Sequence, residues 1–382
     1  MRLFIAAMLV LSLGLYLACA PGPGADRNPE PPAKPEDQAE QLKTQKKKFG
    51  EEFDELIKRF EKAATVADKK GIQAEARELA TLTAEKIRKI AEADPKSETA
   101  FEAASFTLSR LVTVGAGGPD VDKLLAIVAD NHLNNPKVKD MVQVAGRAGP
   151  AGEKFLQTAA EKSTDKSVRG MSLYILGMSF SEQSDDAPNE KASTELVAKA
   201  IDFLSRAAKE APDTRVEDGT ISVVAAAEIK SLKTLSIGNP APALEGTELL
   251  AEKKQTLAGF KGNVVLVDVW ATWCGPCRAM IPHEREMVKK HEGKPFKLIS
   301  VSVDDKKDTL TKFIEKEPMP WIHWWDNGDE NPLVKTLKVK AFPTLYLIDA
   351  KGVIRRKWIG SPEPDVLDKA VEELVKEAGK KS

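Results

Sequence analysis

The chain has 382 residues, and its 57 basic and 58 acidic residues give a formal net charge of −1. This balance gives no reason to expect nucleic acid or an anionic membrane surface as a partner. The length allows two domains, and three cysteines are too few for a disulfide-stabilised framework. Any paired cysteines are therefore candidates for chemistry.

Residues 1–18 have the pattern of a secretory signal peptide, because one arginine precedes an apolar stretch that is short for a membrane span. The sequence LYLAC, which ends at Cys19, resembles a bacterial lipobox, so we expect lipidation of Cys19 to tether the protein to a membrane. Cleavage without lipidation and an uncleaved anchor are the alternatives. Residues 19–40 are rich in proline, glycine and charge, which predicts a disordered linker.

Residues 41–235 are predicted to form an all-helical domain. Apolar residues recur with helical spacing in the first segment, and a second helix is predicted from about Gly71 to Ala93. Asp94-Pro95 and further proline and glycine steps end the helices, while strand signals are almost absent. Helix pairs of this kind indicate an α-solenoid or an irregular bundle.

One segment of this domain resembles a tetratricopeptide repeat. The residues that fit its two helices are Leu173, Leu176, Gly177 and Phe180, then Ala200, Leu204, Ala207 and Pro212. The loop between them is predicted to be about eleven residues too long for that repeat, and no second copy is evident. An interaction surface for a protein partner is therefore one hypothesis, and a plain spacer or dimerisation domain is the other.

From Ser236 onwards the pattern changes to alternating strands and helices, which predicts a C-terminal α/β domain over 236–382. A short hairpin is expected within Leu244–Leu257. After a strand beginning at Val264 and a helix ending at about His291, the further predicted elements are a strand at Phe296–Val303, a helix at about Lys306–Glu317, a strand at Trp321–Trp325, a short helix near Pro332–Leu337, strands at Thr344–Ile348 and Val353–Ile359, and a helix at Glu363–Lys376.

The segment Val264–Cys277, VVLVDVWATWCGPC, carries the clearest chemical signal. Its β-branched run predicts a strand buried on both faces, where Asp268 is an ionisable residue at a costly position. Pro276 suits the first turn of a helix, which places Cys274 at a helix N-terminus that stabilises a thiolate. Two cysteines at this spacing can close and reopen a disulfide. A zinc site would need two more ligands, so we expect no metal.

The motif WCGPC after an apolar strand resembles the thioredoxin signature. With Phe260-Lys261-Gly262 before the strand and Trp270–Trp273 before the cysteines, it is similar to extracytoplasmic thioredoxin-like proteins of the TlpA/ResA type. The resemblance begins at about Ile237 and implies a central mixed sheet flanked by helices, without a cofactor. The predicted fold class is therefore a two-domain chain, with an all-α N-terminal domain and a C-terminal α/β thioredoxin fold.

The resemblance implies roles for the residues around the motif. Cys274 is expected to be the nucleophile and Cys277 the resolving thiol, with the two joined as a redox-active disulfide. Asp268 matches the buried carboxylate that accepts the proton of the resolving thiol, and a hydrogen-bonded structural aspartate is the alternative. Pro343 matches a cis-proline that sets the backbone of Phe342 opposite the disulfide.

The same resemblance implies a surface for substrate docking. Trp270 and Trp273 are expected to shield the sulfurs and form an apolar rim, while Gly275 and Pro276 complete the turn. Proteins of this type that reduce apocytochrome c often have glutamate where this chain has Met280. This departure puts a role in cytochrome maturation in doubt.

The Gly-Pro pair between the cysteines, with Asp268 in the preceding strand, resembles the reducing members of the family. We therefore expect an extracytoplasmic oxidoreductase of the periplasm or cell envelope that reduces disulfide-containing proteins and draws electrons from a membrane thiol protein. A disulfide oxidase or isomerase is the alternative, distinguished by its reduction potential. A third hypothesis is a helical scaffold that recruits a protein partner, with an ancillary redox domain.

Overall fold

A computed structural model of the protein describes residues 35–326, 328 and 331–380. The predicted signal peptide at 1–18, the lipidation site Cys19 and most of the predicted linker lie outside these residues. In the part of the chain that the structure describes, no helix has both the length and the apolar character needed to cross a membrane.

From Pro35 to Leu235 the chain is almost entirely helical, in agreement with the prediction. The helices are α1 Pro35–Lys62, α2 Val66–Ala93, α3 Glu98–Phe106, α4 Pro119–Asn131, α5 Val138–Ala145, α6 Gly149–Lys162, α7 Lys166–Asp185, α8 Glu190–Glu210 and α9 Ile221–Leu235. A small antiparallel hairpin of β1 (Arg215–Val216) and β2 (Gly219–Thr220) precedes α9. The sequence did not predict this hairpin, because strands of two residues leave no alternating pattern.

Two of these helices begin earlier than predicted. α1 begins at Pro35, inside the predicted linker, since acidic residues follow this proline and the next proline or glycine is Gly50. α2 begins at Val66 rather than Gly71 because Thr65 caps it: the Thr65 hydroxyl accepts a hydrogen bond from the Asp68 N–H at 3.0 Å.

The helices α7 and α8 explain the segment that resembles a tetratricopeptide repeat. They are joined by residues 186–189 alone, so the prediction of a long loop is wrong and the additional residues lengthen the helices instead. A Cβ on Gly177 would lie 2.6 Å from Leu204 Cγ, so the glycine permits a close approach of the two helices.

The chain divides into two compact units. Of the described residues, the first contains those up to Leu176 with Arg206–Val223, and the second contains Gly177–Ser205 with those from Val224 onwards. The second unit therefore includes parts of α7, α8 and α9. Within this unit, Lys357 Nζ lies 2.6 Å from Asp185 Oδ2, and the two side chains are only 15% and 17% exposed.

The C-terminal elements follow the predicted order, with boundaries shifted by a few residues. They are β3 Glu245–Thr247, β4 Lys254–Thr256, β5 Val264–Trp270, α10 Gly275–Lys290, β6 Phe296–Ser302, α11 Lys307–Lys316, β7 Ile322–Trp325, α12 Pro332–Thr336, β8 Thr344–Ile348, β9 Ile354–Ile359 and α13 Pro364–Gly379. β3 and β4 form the predicted hairpin.

A five-stranded sheet in the order β7-β6-β5-β8-β9 forms the centre of this region. β5, β6 and β7 are parallel, whereas β8 and β9 are antiparallel to their neighbours. Every residue of β5 is buried, because α13 covers one face of the sheet and α11 and α12 contribute to the core on the other. This mixed sheet flanked by helices confirms the predicted fold class.

Candidate active site

The two cysteines lie where the chain passes from β5 to α10. Cys274 is the N-cap residue of α10 and forms a disulfide with Cys277, with an S–S distance of 2.01 Å. The backbone N–H of Cys277 donates to Cys274 Sγ at 3.2 Å. After reduction, this donor and the helix N-terminus favour a thiolate on Cys274.

Both sulfurs are shielded in the oxidised protein. Cys274 is 6% exposed and Cys277 is 3% exposed. In this state both cysteines pack into the core of the sheet. Gly275 leaves open space beside the turn, since no atom lies within 4 Å of a Cβ added there. Pro276 occupies the first turn of α10, where its missing N–H needs no partner.

Asp304 holds the loop that carries the cysteines. Its carboxylate accepts hydrogen bonds from the Thr272 N–H at 3.1 Å and from Thr272 Oγ1 at 2.5 Å. Ser302 Oγ donates to the same carboxylate at 2.8 Å, and Asp304 is buried. Asp304 was not predicted from the sequence, although its place just after β6 was a usable signal. The carboxyl ends of neighbouring parallel strands meet at one edge of a sheet.

Trp273, the residue before Cys274, is exposed and packs against the half-buried Phe342. Trp273 is 66% exposed, and its ring centroid lies 5.7 Å from that of Phe342 in an edge-to-face arrangement. The peptide bond between Phe342 and Pro343 is cis. A large exposed tryptophan of this kind is typical of a contact surface for another molecule.

Trp270 does not contribute to this surface. It is 1% exposed, and its ring packs edge-on against Phe313 at a centroid distance of 5.6 Å. The prediction that Trp270 forms part of a docking rim is therefore wrong. It is the last residue of β5 and points into the core, so it supports the loop from inside.

A cleft of about 360 Å³ borders the first turns of α10. Its lining includes Arg278, Pro282 and Phe313. The Arg278 guanidinium carbon lies 5.6 Å from the centroid of the Phe313 ring, which combines a cation with an apolar surface.

Asp268 lies within β5 and is buried. Burial raises the pKa of this carboxyl from 3.8 to about 7. Its register partners on the neighbouring strands are Ser300 and Leu345, so no cation lies opposite it on either strand. The Ser300 hydroxyl accepts a hydrogen bond from Trp321 Nε1 at 2.7 Å. Asp268 can therefore exchange a proton near neutral pH.

A second buried carboxyl, Glu284 of α10, was not identified from the sequence. It is 1% exposed, and its pKa is raised well above 4.5, first by burial and second by the negative charge of Asp268. Met280 and Met287 lie on the same face of α10 and are buried in the core. A glutamate between two buried methionines at helical spacing was the signal that could have revealed it.

No metal centre is evident around these residues. The residues that the structure describes contain no group of three or more His, Cys, Asp or Glu side chains that could hold a metal ion.

Comparison with known proteins places relatives on the C-terminal region. A model of the AhpC/TSA family matches residues 237–357. Thiol-disulfide oxidoreductase ResA of Bacillus thuringiensis subsp. konkukian is 29% identical over 140 residues, which cover 37% of this chain and 79% of the relative. Thiol:disulfide interchange protein DsbE of Pseudomonas fluorescens biotype C is 33% identical over 129 residues, which cover 34% of this chain and 70% of the relative.

Similar proteins also occur among the solved structures. A thiol:disulfide interchange protein from Bacteroides sp. has 28% sequence identity and a TM-score of 0.34. The alignment covers 37% of this chain and 91% of that protein.

Proposed function

Through its C-terminal domain the chain belongs to the thiol-disulfide oxidoreductases of the ResA/DsbE type, and we propose that it reduces protein disulfides by dithiol exchange. The resemblance drawn from the motif WCGPC is thereby confirmed at the level of the family. The proposal depends on one observation: the Cys274–Cys277 disulfide lies at the N-terminus of α10, directly after the exposed Trp273.

The reaction proceeds in two exchanges. The Cys274 thiolate attacks a sulfur of the substrate disulfide, which forms a mixed disulfide and releases one substrate thiolate. Cys277 then loses its thiol proton and attacks Cys274 Sγ, which closes the Cys274–Cys277 disulfide and releases the second substrate thiolate. Asp268, which titrates near neutral pH, accepts the proton of Cys277.

Substrate docking is assigned to the surface beside the disulfide. The edge of Trp273 and the ring of Phe342 provide an apolar contact, and the Phe342 backbone pairs with an extended substrate segment ahead of Pro343. The cleft beside Arg278 accommodates the substrate residues that follow this extended segment. Disulfide-containing proteins with an unfolded or extended segment around the cysteine fit this surface best.

The cellular setting follows from the N-terminal sequence. A signal peptide at 1–18 with a lipidated Cys19 would hold the protein outside the cytoplasm, with residues 19–40 as a spacer from the membrane. The oxidised site is then recharged by a membrane thiol protein. For the helical domain at 41–235, binding of a protein partner and a role as spacer or dimerisation domain are the two hypotheses.

The direction of electron flow is tested by the reduction potential of the full-length protein, measured by equilibration with dithiothreitol or glutathione. A value below about −200 mV supports a reductase, whereas a value near or above about −150 mV would make the protein an oxidase or isomerase. In a second measurement, the C277A variant traps a mixed disulfide through Cys274. Trapping through Cys277 in the C274A variant instead would reverse the assignment of the two thiols.

A further inference from the structure

The residues of β5 alternate between the two cores of the sheet. Val264 and Leu266 pack with Met280 and Met287 of α10 in the core covered by α13. Asp268 lies two residues after Leu266, and every second side chain of a strand projects to the same face. The Asp268 side chain therefore projects to this core. The Asp268 carboxyl is therefore directed towards α10 rather than towards the opposite face.

Glu284 occupies the corresponding place on the helix. It lies four residues after Met280 and three before Met287, so it shares the face of α10 that packs on β5. The negative charge of Asp268 raises the pKa of Glu284, which means that the two carboxyls interact across the core. Strand and helix thus bring two acids together on one side of the sheet.

The burial of both carboxyls destabilises the fold, and packing does not explain why acids occupy these two positions. Asp268 Oδ1 and Glu284 Oε1 are buried, and neither has a hydrogen-bond partner among the residues that the structure describes. Buried polar atoms without partners destabilise a fold, and two like charges at such a place would destabilise it further. A single proton on the pair leaves one negative charge instead of two, which removes the repulsion between like charges.

We propose that Glu284 and Asp268 act as one proton-holding pair, which takes up the proton of the Cys277 thiol when Cys277 attacks the mixed disulfide. This inference rests on the proposed function and adds a residue to it. In the wild type Glu284 keeps its own proton and acts through Asp268, so it is a positioning residue.

The proton balance of the resolving step is as follows. Before the attack the pair holds one proton and one negative charge, and Cys277 is a neutral thiol. The thiol proton moves to the pair, which becomes neutral, and the Cys277 thiolate forms a bond with Cys274 Sγ. The bond between Cys274 and the substrate sulfur breaks, and the substrate leaves as a thiolate. The pair then returns the proton to that thiolate or to solvent.

The neighbouring charged groups leave this pair undisturbed. On α10 and α13, His283 Nε2 lies 3.0 Å from Asp368 Oδ1, and Lys290 forms an ion pair with Glu372. Among the charges of the described residues, Asp268 is the one that shifts the pKa of Glu284. From β6 and β8, the residues opposite Asp268 are the uncharged Ser300 and Leu345.

The resolving step can be isolated with Ellman's reagent, the disulfide of thionitrobenzoate. The reduced full-length protein attacks it through Cys274 and releases one thionitrobenzoate, and Cys277 then releases the second. This leaving group needs no proton, so the second phase reports the deprotonation of Cys277 alone. Stopped-flow absorbance between pH 6 and 10 is recorded for the wild type, D268N, E284Q and D268N/E284Q. E286Q is the matched control, because Glu286 is exposed on the same helix.

We expect a non-additive result at pH 7. E284Q resembles the protonated Glu284 and should react within about twofold of the wild type, whereas D268N should slow the second phase about tenfold. In D268N the pKa of Glu284 falls because the charge of Asp268 is gone, so Glu284 accepts the proton instead. The double variant should therefore be slowed about 100-fold, and the difference should close above about pH 9, where the thiol ionises without help.

Two outcomes separate the possible failures. If D268N and D268N/E284Q have the same second phase at every pH, Glu284 is structural and the pair is refuted. If the wild type shows no second phase at all, the proposed dithiol mechanism itself fails. The first phase reports an intact active site in each variant, and D268N/E284M replaces the double variant if E284Q does not fold.

Discussion

Replacing Asp268 by asparagine should stabilise the protein, and the gain should grow with pH. Burial raises the pKa of this carboxyl from 3.8 to about 7. The unfolded chain releases the proton near pH 4, whereas the folded chain holds it up to about pH 7, so the folded state loses stability as the pH rises between these values. At about 1.4 kcal/mol per pKa unit, the loss reaches about 4 kcal/mol by pH 8.

In D268N this loss is absent, and a fall in the pKa of Glu284 adds a contribution of the same sign. The assay is urea unfolding of the full chain, oxidised, from pH 4.5 to 8. All six tryptophans lie between Trp270 and Trp358, so their fluorescence follows this region even though the chain has two units. The control is D365N at an exposed aspartate of α13. A difference between D268N and the wild type that does not change with pH would refute the raised pKa and the role as proton acceptor.

Two further predictions concern the surface and the loop of the site. W273A should lower kcat/KM for a protein disulfide about tenfold, because an exposed aromatic anchor is lost, while the rate with Ellman's reagent changes less than about twofold. Equal effects on both substrates would mean that Trp273 acts on the thiols instead. D304A should reduce the free energy of unfolding in urea by about 2 kcal/mol, since the buried Ser302 hydroxyl and the Thr272 donors lose their acceptor. A loss below about 0.5 kcal/mol would show that the loop is held by other contacts.

The sequence was sufficient to predict those elements whose signal lies in residues adjacent in the chain. The β-branched run from Val264 and the proline within WCGPC predict a buried strand and a helix start, and both are found within one residue of the expected place. Thr344–Ile348 is found with the predicted bounds, because an apolar run between a proline and a turn has few alternatives. The cap at Thr65 was missed, although its Thr-Val-Ala-Asp sequence is local as well.

The interactions that were missed join residues far apart in the chain. Asp304 meets Thr272 only because β5 and β6 are parallel neighbours. The charge of Asp268 acts on Glu284 only because α10 packs on β5. Neither pairing has a fixed spacing in the sequence. The burial of Trp270 was missed for a related reason: the end of a strand marks the surface only when no helix covers it, and Phe313 of α11 covers Trp270.

The ion pair between Lys357 and Asp185 determines where a fragment for expression or fusion has to begin. A fragment that begins at Ser236 would contain every residue matched by the family and would still lose Asp185, which neutralises a largely buried ammonium on β9. Removal of one partner of a buried ion pair typically costs about 3–5 kcal/mol, a large part of the stability of a small domain. A fragment for expression, or for fusion to another protein, should therefore begin before Gly177, and a chimaera joined at Ser236 should carry K357M.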